Sequence, residues 1–319
     1  MPGASGVKEL KEVNHNPSPC KRIREEFGVK EKKEMLIYLN GKLVQEEDAK
    51  ISVFDHGLLY GDGIFEGIRI YNGKIFKLDE HIERLYNSAK AIMLEVPLNF
   101  YDMKNATIQT VRANELQDGY IRLIVTRGVG DLGLNPLKCK VPTLIIIANK
   151  VALYPESLYE KGLDVITAST RRNLSESVNP AIKSLNYLNN ILAKIEANNS
   201  GFPEALLLNQ EGFVSECTGE NIFAVKNRMV MTPPVSAGVL DGITRNAIKE
   251  LCSRLKLGFR EINLTRYDIF IADEAFLSGT AAEIVPVVSL DRRIIGSGKP
   301  GEITKSIGRE FRLLTHTDG

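Results

Sequence analysis

Asn-Gly occurs at Asn40-Gly41 and again at Asn72-Gly73, each time between two short runs rich in apolar residues. Such a turn carries both central residues to positive φ, and its twist matches two antiparallel strands. The chain therefore predicts two hairpins: Met35 to Leu39 against Lys42 to Gln45, and Ile64 to Tyr71 against Lys74 to Leu78. Asp79 can cap a helix running to Met93, and a second helix is expected from Tyr101 to Leu116. Strands are expected at Gly119 to Arg127, Pro142 to Ala148, Leu163 to Ala168, Glu204 to Leu208, Asn221 to Val225 and Met229 to Thr232. Helices are expected at Leu185 to Asn198, Thr244 to Leu257 and Ile303 to Leu314, with short strands at Glu274 to Ser278 and Ile284 to Val288. No βαβ rhythm develops, which argues for a mixed α/β (α+β) fold rather than a doubly wound parallel sheet.

At 319 residues, length suggests two domains. Residues 1–34 are rich in Lys, Glu, Pro and Asn, carry no signal-peptide h-region, and are expected to be a poorly ordered extension. The hydrophobic pattern begins at Met35, which could serve as a start. Residues 35–148 read as a smaller N-terminal α/β domain, and 149–162, polar and broken by Pro155, as a linker. Residues 163–319 read as a larger C-terminal domain.

Composition removes several function classes. Lys and Arg total 41 against 40 Asp and Glu, a formal charge of +1, so no basic stripe marks a nucleic-acid partner. The longest apolar run, Leu144 to Ala148, is strand-sized, so no membrane span is expected. Cys20, Cys139, Cys217 and Cys252 form no CxxC pair, which disfavours a disulfide framework or thiolate zinc site and suits a cytoplasmic protein. The four histidines share no ligand-like spacing, so no metal is expected. GxGxxG and GxxxxGK[ST] are absent, leaving dinucleotide and P-loop readings without support.

Five constellations could carry chemistry. Lys183 is flanked by Ala181, Ile182 and Leu185, before a helix that Ser184 or Asn186 could cap. A lysine desolvated there would be a nucleophile suited to a Schiff base, against the plain alternative of a solvated helix-start lysine. His81, Arg84, Leu85 and Ser88 share one helix face, and Arg84 could clamp a phosphate or be a surface charge. In Leu240-Asp-Gly-Ile-Thr-Arg-Asn246 a tight turn opens a helix whose free N–H groups could bind an anion, or simply form a capped end. Glu216, before an apolar strand, could pair with a protonated ring nitrogen or be a loop acid. Ser278-Gly-Thr-Ala-Ala-Glu-Ile284 has small residues that let a ligand approach backbone N–H groups, or is a plain turn. A phosphate site, a ring-nitrogen partner and a desolvated lysine are together what pyridoxal phosphate needs.

From Met35 to about Leu314 the sequence resembles the branched-chain amino acid aminotransferases, class IV enzymes of pyridoxal-phosphate fold type IV. The resemblance is carried, in order, by Tyr60-Gly-Asp-Gly-Ile-Phe-Glu-Gly-Ile-Arg69, His81-Ile-Glu-Arg-Leu85, Tyr120-Ile-Arg122 and Gly130-Asp-Leu-Gly-Leu-Asn-Pro136. It continues through Lys183-Ser-Leu-Asn-Tyr187, Ser215-Glu-Cys-Thr-Gly-Glu-Asn-Ile-Phe223, Gly242-Ile-Thr-Arg245 and Gly279-Thr-Ala-Ala-Glu-Ile284.

The resemblance implies a two-domain enzyme moving amino groups between L-leucine, isoleucine or valine and 2-oxoglutarate, ping-pong, with pyridoxal 5'-phosphate. It makes Lys183 the Schiff-base lysine and proton shuttle, Tyr187 the partner of the phenolic oxygen and Glu216 that of the ring nitrogen. Arg84, the Ile243 and Thr244 N–H groups and Thr280 would hold the phosphate, and Leu240 would pack on the ring. The Thr280-Ala281 turn would take the substrate α-carboxylate. Phe65, Tyr60 and Tyr120 would wall an apolar pocket, and Arg122 would meet the distal carboxylate of 2-oxoglutarate. Tyr60 and Leu134 would reach the site from a neighbouring subunit, implying at least a dimer. Cys217 stands where the family more often has glycine, and a thiol there suggests sensitivity to oxidation. Other readings of the fold are a D-amino acid aminotransferase, an aminodeoxychorismate lyase, or a binding protein without turnover. Tyr120-Ile-Arg122 and Gly279 to Ile284 favour the branched-chain group.

Overall fold

The structure, a computed structural model, describes residues 35–150 and 154–317. The expected extension at 1–34 lies outside the described residues. The first sheet contains β1 (Leu36–Leu39), β2 (Lys42–Gln45), β3 (Gly63–Tyr71), β4 (Lys74–Ile75), β5 (Gly119–Thr126) and β6 (Thr143–Asn149), ordered β2-β1-β6-β5-β3-β4. All its pairings are antiparallel. Both Asn-Gly turns form as expected, with Asn40 and Asn72 at φ 47° and 49°. The second hairpin is shorter than expected. Lys77 turns to φ 53° and starts a helix at Leu78, so β4 ends at Ile75.

The second sheet contains β7 (Leu163–Thr167), β8 (Glu204–Leu208), β9 (Val214–Cys217), β10 (Asn221–Lys226), β11 (Met229–Thr232), β12 (Gly258–Glu261), β13 (Glu274–Gly279), β14 (Glu283–Leu290) and β15 (Arg293–Ile294). Its order is β12-β11-β10-β13-β14-β7-β8-β9, with β15 on β14. Three pairings, β11 with β12, β14 with β7 and β7 with β8, are parallel. β9 closes one end of this order, yet the Cys217 N–H donates to the Glu220 carbonyl at the mouth of β10, 2.8 Å away. The sheet must therefore curl to bring β9 beside β10.

Period-two alternation explains how this sheet buries both faces. Ile222 and Ala224 of β10 join one apolar cluster with Leu277 of β13, while Phe223 and Val225 join another with Phe276. Phe223 and Phe276 are register partners and stack at 4.7 Å.

The helices are α1 (His56–Tyr60), α2 (Leu78–Ala91), α3 (Phe100–Ala113), α4 (Glu156–Lys161), α5 (Leu188–Asn199), α6 (Ile243–Arg254), α7 (Arg266–Phe270) and α8 (Glu302–Thr317). α2 buries Leu78, His81, Ile82, Leu85, Ser88 and Ala89 on one stripe against the first sheet. Full burial of side chains such as Ile82 and Leu85 contributes about 1.5–3 kcal/mol each. Tyr71, at the end of β3, and Phe76, just after β4, join Phe223, Ile248 of α6 and Phe311 of α8, so the two sheets share a core at their junction.

Helix caps differ from expectation. Lys77, not Asp79, precedes α2; Asp79 lies in its first turn and pairs with Lys104 at 2.6 Å. Neither Ser184 nor Asn186 caps α5: the Ser184 hydroxyl accepts from the Asn186 N–H, and the Asn186 amide donates to the Gly61 carbonyl. The helix expected from Thr244 begins one residue earlier, at Ile243, with Gly242 as the N-cap of α6. The connection expected to be plain linker contains α4.

Candidate active site

A cavity of about 440 Å³ opens where β3 and β5 face α6 and the β13–β14 turn. Lys183 is carried there by a short bridge onto β3, with the Phe65 N–H donating to the Lys183 carbonyl at 3.0 Å and the Leu185 N–H to the Gly63 carbonyl at 2.9 Å. The Lys183 Nζ donates to the Tyr187 hydroxyl at 3.1 Å and lies 4.6 Å from the centre of the Phe65 ring. An amine is thus held, half-buried, between two aromatic rings that meet edge-on at 5.0 Å.

Glu216, expected before a strand, lies on β9 and is buried. One of its oxygens receives the Arg172 Nε at 3.0 Å and Nη2 at 2.7 Å; the other receives the Leu240 N–H at 2.9 Å. Arg172 is itself braced by the side-chain carbonyls of Asn189 and Asn190, both at 3.1 Å. The result is a fixed carboxylate on the cavity wall, one oxygen tied to an arginine and the other turned toward the Leu240 backbone.

Gly242, Ile243 and Thr244 line the opposite wall, where α6 begins with no side-chain cap. Free N–H groups and the helix dipole make this end attractive to an anion. Arg84 borders it, but its fork is closed on a buried carboxylate. Nε and Nη2 donate to the two oxygens of Glu66, each at 2.7 Å, and Nη1 donates to the Asp241 carbonyl at 2.7 Å. His81 Nδ1 completes the cluster, 2.7 Å from Glu66. Burial alone would raise the Glu66 carboxyl, but the Arg84 charge and the hydrogen bonds of Arg84 and His81 outweigh it and hold it at about 2. Burial lowers His81 and keeps it neutral, against the pull of Glu66. Arg84 is therefore neither a surface charge nor a free clamp: one N–H remains on each terminal nitrogen for a ligand.

The remaining wall follows the expected strand geometry. Tyr120, Arg122 and Ile124 alternate on β5 and all line the cavity beside Phe65. The Arg122 guanidinium stands 4.5 Å over the Phe65 ring and 3.5 Å from the Tyr120 hydroxyl. Among the described residues no carboxylate pairs with it. Gly67 is required here, because a Cβ on it would lie 1.7 Å from the Tyr120 oxygen. Thr280, Ala281 and Ala282 form the turn between β13 and β14, as expected, and line the cavity with Ser278. The Ser278 hydroxyl is buried without a hydrogen-bond partner among the described residues.

Lys183, Tyr187, Glu216, Arg84, Leu240, Ile243, Thr244, Thr280, Ala281, Phe65, Tyr120 and Arg122 thus border one cavity. Tyr60 and Leu134 do not. Tyr60 donates to the Leu132 carbonyl at 2.5 Å, and Leu134 is 78 % exposed. Leu58, Leu132, Leu137 and Val141 are exposed apolar residues as well. Cys217 also departs from expectation: its thiol is fully buried in the core of the second sheet, and burial pushes it far up, so it is not poised for oxidation.

Sequence reasoning missed the partners that hold the site. Arg172, Glu66 and Asn221 act across 44, 18 and 5 residues of chain to fix Glu216, Arg84 and Glu216 again. It also missed Glu220, which lines the cavity and meets Tyr154 at 3.2 Å. Glu66 and Glu220 both lie inside the quoted motifs, so the signal existed but assigned them no role.

Residues 63–290 match the model of the amino-transferase class IV family. A Methanocaldococcus jannaschii protein, provisionally named a branched-chain-amino-acid aminotransferase, is 54% identical over 278 residues, covering 87% of this chain and 96% of its own. The crystal structure of the Escherichia coli branched-chain amino acid aminotransferase superposes with a TM-score of 0.86 at 37% identity, covering 89% of this chain and 95% of that one. The branched-chain amino acid aminotransferase of Thermobaculum terrenum, in its PLP-bound holo form, gives 0.82 at 31% identity, covering 89% and 94%.

Proposed function

The chain belongs to the class IV aminotransferases, and from that premise we propose that its cavity transfers amino groups between branched-chain L-amino acids and 2-oxoglutarate with pyridoxal 5'-phosphate. The observation that carries this reading is the convergence on one cavity of Lys183, Glu216, the open end of α6 and, among aromatic rings, an Arg122 that no carboxylate of the described residues pairs with. The residues present suit that cofactor. The uncapped α6 end offers N–H groups to a phosphate, Glu216 offers a fixed carboxylate to a ring nitrogen, and Ser278 brings a buried hydroxyl that has no hydrogen-bond partner among the described residues.

In this reading Arg84, the Ile243 and Thr244 N–H groups and Thr280 hold the phosphate. Glu216 meets the ring nitrogen, Tyr187 the phenolic oxygen and Leu240 the ring face. When bound, the cofactor would supply a carbonyl to take up the amino group and a ring to accept electrons from Cα. Lys183 is the amine that anchors it and the base that moves the Cα proton, and the Tyr187 hydroxyl at 3.1 Å steers Nζ. The Thr280-Ala281 turn presents N–H groups to the substrate α-carboxylate. Phe65 and Tyr120 exclude water around an apolar side chain, and Arg122 takes the second carboxylate of glutamate or 2-oxoglutarate.

We assign the two sheets to two domains, 35–148 and 163–319, joined through 149–162. The exposed Leu58, Leu132, Leu134, Leu137 and Val141, with Tyr60, support a homodimer in which Tyr60 and Leu134 complete the partner's pocket. The free thiols of Cys139, Cys217 and Cys252 suit a cytoplasmic location. Among the described residues no helix is long and apolar enough to cross a membrane. The test is glutamate formation by the purified holoenzyme from 2-oxoglutarate with each L-branched amino acid and its D-enantiomer. Activity with the D-forms alone would favour the D-specific members of the fold, and activity with none would refute the reading.

A further inference from the structure

The cavity ends, beside Gly219 and Gly279, at a carboxyl group to which the functional reading gives no role. Glu220 lines the cavity yet is almost wholly buried, and a Cβ on Gly279 would lie 3.2 Å from its Cγ. It therefore stands directly behind the β13–β14 turn. Tyr154 joins it to a second buried carboxyl group: the phenol oxygen is 3.2 Å from Glu220 Oε1 and 3.2 Å from Glu204 Oε2.

A proton count constrains the state of this pair. A phenol has one proton, so it can donate fully to only one carboxyl group, and the other contact is satisfied when that second group carries a proton and donates to the phenol oxygen. Three donors converge on Glu204: the Ala205 N–H at 2.8 Å, the Thr218 N–H at 2.9 Å and the Lys194 Nζ at 3.1 Å. Among the described residues the only other donor to Glu220 is the Gly219 N–H at 3.2 Å. The chain therefore runs from the Glu220 O–H to the Tyr154 oxygen and from the Tyr154 O–H to Glu204, which Lys194 Nζ meets from the far side as a donor. Lys194 is 37% exposed, so the chain reaches solvent.

The surroundings agree. Lys194 on α5 balances Glu204 on β8. On β9, Arg172 balances Glu216, and burial keeps the Cys217 thiol neutral. On β14, Glu283 pairs with Arg69 at 3.3 Å. Burial raises the Tyr154 and Tyr159 phenols, which stay protonated. Lys183 is the amine that shares the cavity, and its Nζ is held by Tyr187. A charge on Glu220 would thus be the uncompensated one in this group. Burial, and then the Glu204 carboxylate, push the Glu220 carboxyl up to about 8.

We propose that Glu220 is a positioning residue held as a neutral carboxylic acid by the Tyr154–Glu204–Lys194 chain, and that its neutrality lets the α-carboxylate of an amino or 2-oxo acid bind at the adjacent turn. The inference rests on the assignment of the Thr280-Ala281 turn to that carboxylate. Ionised, Glu220 would repel the same group from behind Gly279.

Two readouts on the holoenzyme test it. Infrared difference spectra across neutral to alkaline pH should show a carboxylic-acid C=O band that fades through about pH 8 in wild type and is missing in Glu220→Gln. Binding of 4-methylvaleric acid, which has a carboxylate and no amino group, should weaken about 10-fold in wild type as Glu220 ionises, beyond any loss in Glu220→Gln. No such band in wild type, or parallel pH dependence in the two proteins, would overturn the inference. Failure of wild type to bind the acid at neutral pH, with the band still present, would instead locate the error in the substrate reading and remove the inference with it. Tyr154→Phe guards against a misfolded Glu220→Gln: it should shift the Glu220 band without abolishing it, and an unmoved band would contradict the chain.

Discussion

Arg122→Ala should split the two half-reactions. In wild type its guanidinium touches aromatic faces, 4.5 Å over Phe65 and 5.6 Å from the Tyr120 ring, and among the described residues no carboxylate claims it. Its charge is therefore available to a ligand. Truncating one partner of a buried charge pair costs about 2–5 kcal/mol, and that loss should fall on 2-oxoglutarate and glutamate. Leucine brings no second carboxylate, so it should lose only the ordering of Phe65 by the cation, about 0.5–1 kcal/mol. The difference, roughly 1.5–4 kcal/mol, corresponds to about 10- to 1,000-fold, at ~1.4 kcal/mol per decade. Single-turnover kinetics give the ratio kmax/Kd for each half-reaction separately, so one preparation yields both numbers. Equal losses for leucine and 2-oxoglutarate would mean that Arg122 only supports the strand, and the dual-recognition account would be wrong.

Other consequences follow from the same geometry. Arg84→Ala should weaken cofactor binding about 10- to 100-fold by equilibrium dialysis, and should also destabilise the fold by about 3–5 kcal/mol because Glu66 is left buried and unpaired. Adding Glu66→Gln should restore chemical stability but not cofactor affinity. Glu66 has a folded pKa depressed to about 2, so its contribution is present above its unfolded value and lost as pH falls from about 4.5 toward 2. Acid denaturation of wild type should be steeper in that window than that of the double variant, and coincident curves would contradict the assignment. Gly67→Ala places a methyl group 1.7 Å from the Tyr120 oxygen and should lower kcat/KM at least 10-fold for every substrate, which steady-state assays would detect. Leu134→Glu, at a position 78 % exposed, should give monomers by sedimentation velocity and poor turnover; an active monomer would sink the shared-pocket proposal.

Much of this site was legible because its parts are local. The Asn-Gly turns fix hairpins through two adjacent residues, and Tyr120 and Arg122 share a face through strand periodicity alone. The stripe from His81 to Ser88 follows from helical spacing. What stayed hidden depends on partners far along the chain. Val214 to Cys217 is buried at every position, so β9 offers no alternation to read, and Glu216 was placed before a strand rather than on one. Arg172 lies 44 residues from the glutamate it clamps, and Tyr154 lies 66 from Glu220. Caps failed for a related reason. Asp79 and Ser184 are good capping residues by type, but Lys77 and Tyr187 occupy those places because tertiary contacts set where each helix begins.

The most direct test of the central claim is the absorption spectrum of the cofactor in the purified protein, titrated with L-leucine, L-isoleucine, L-valine and their D-enantiomers, beside Lys183→Ala. Each L-amino acid should convert the cofactor band stoichiometrically, and 2-oxoglutarate should restore it. The D-forms should leave it unchanged, and Lys183→Ala should bind cofactor without catalytic conversion. Borohydride applied before the titration should fix the cofactor to the peptide that contains Lys183. A label on any other lysine, or a band that branched-chain L-amino acids leave untouched, would contradict the account.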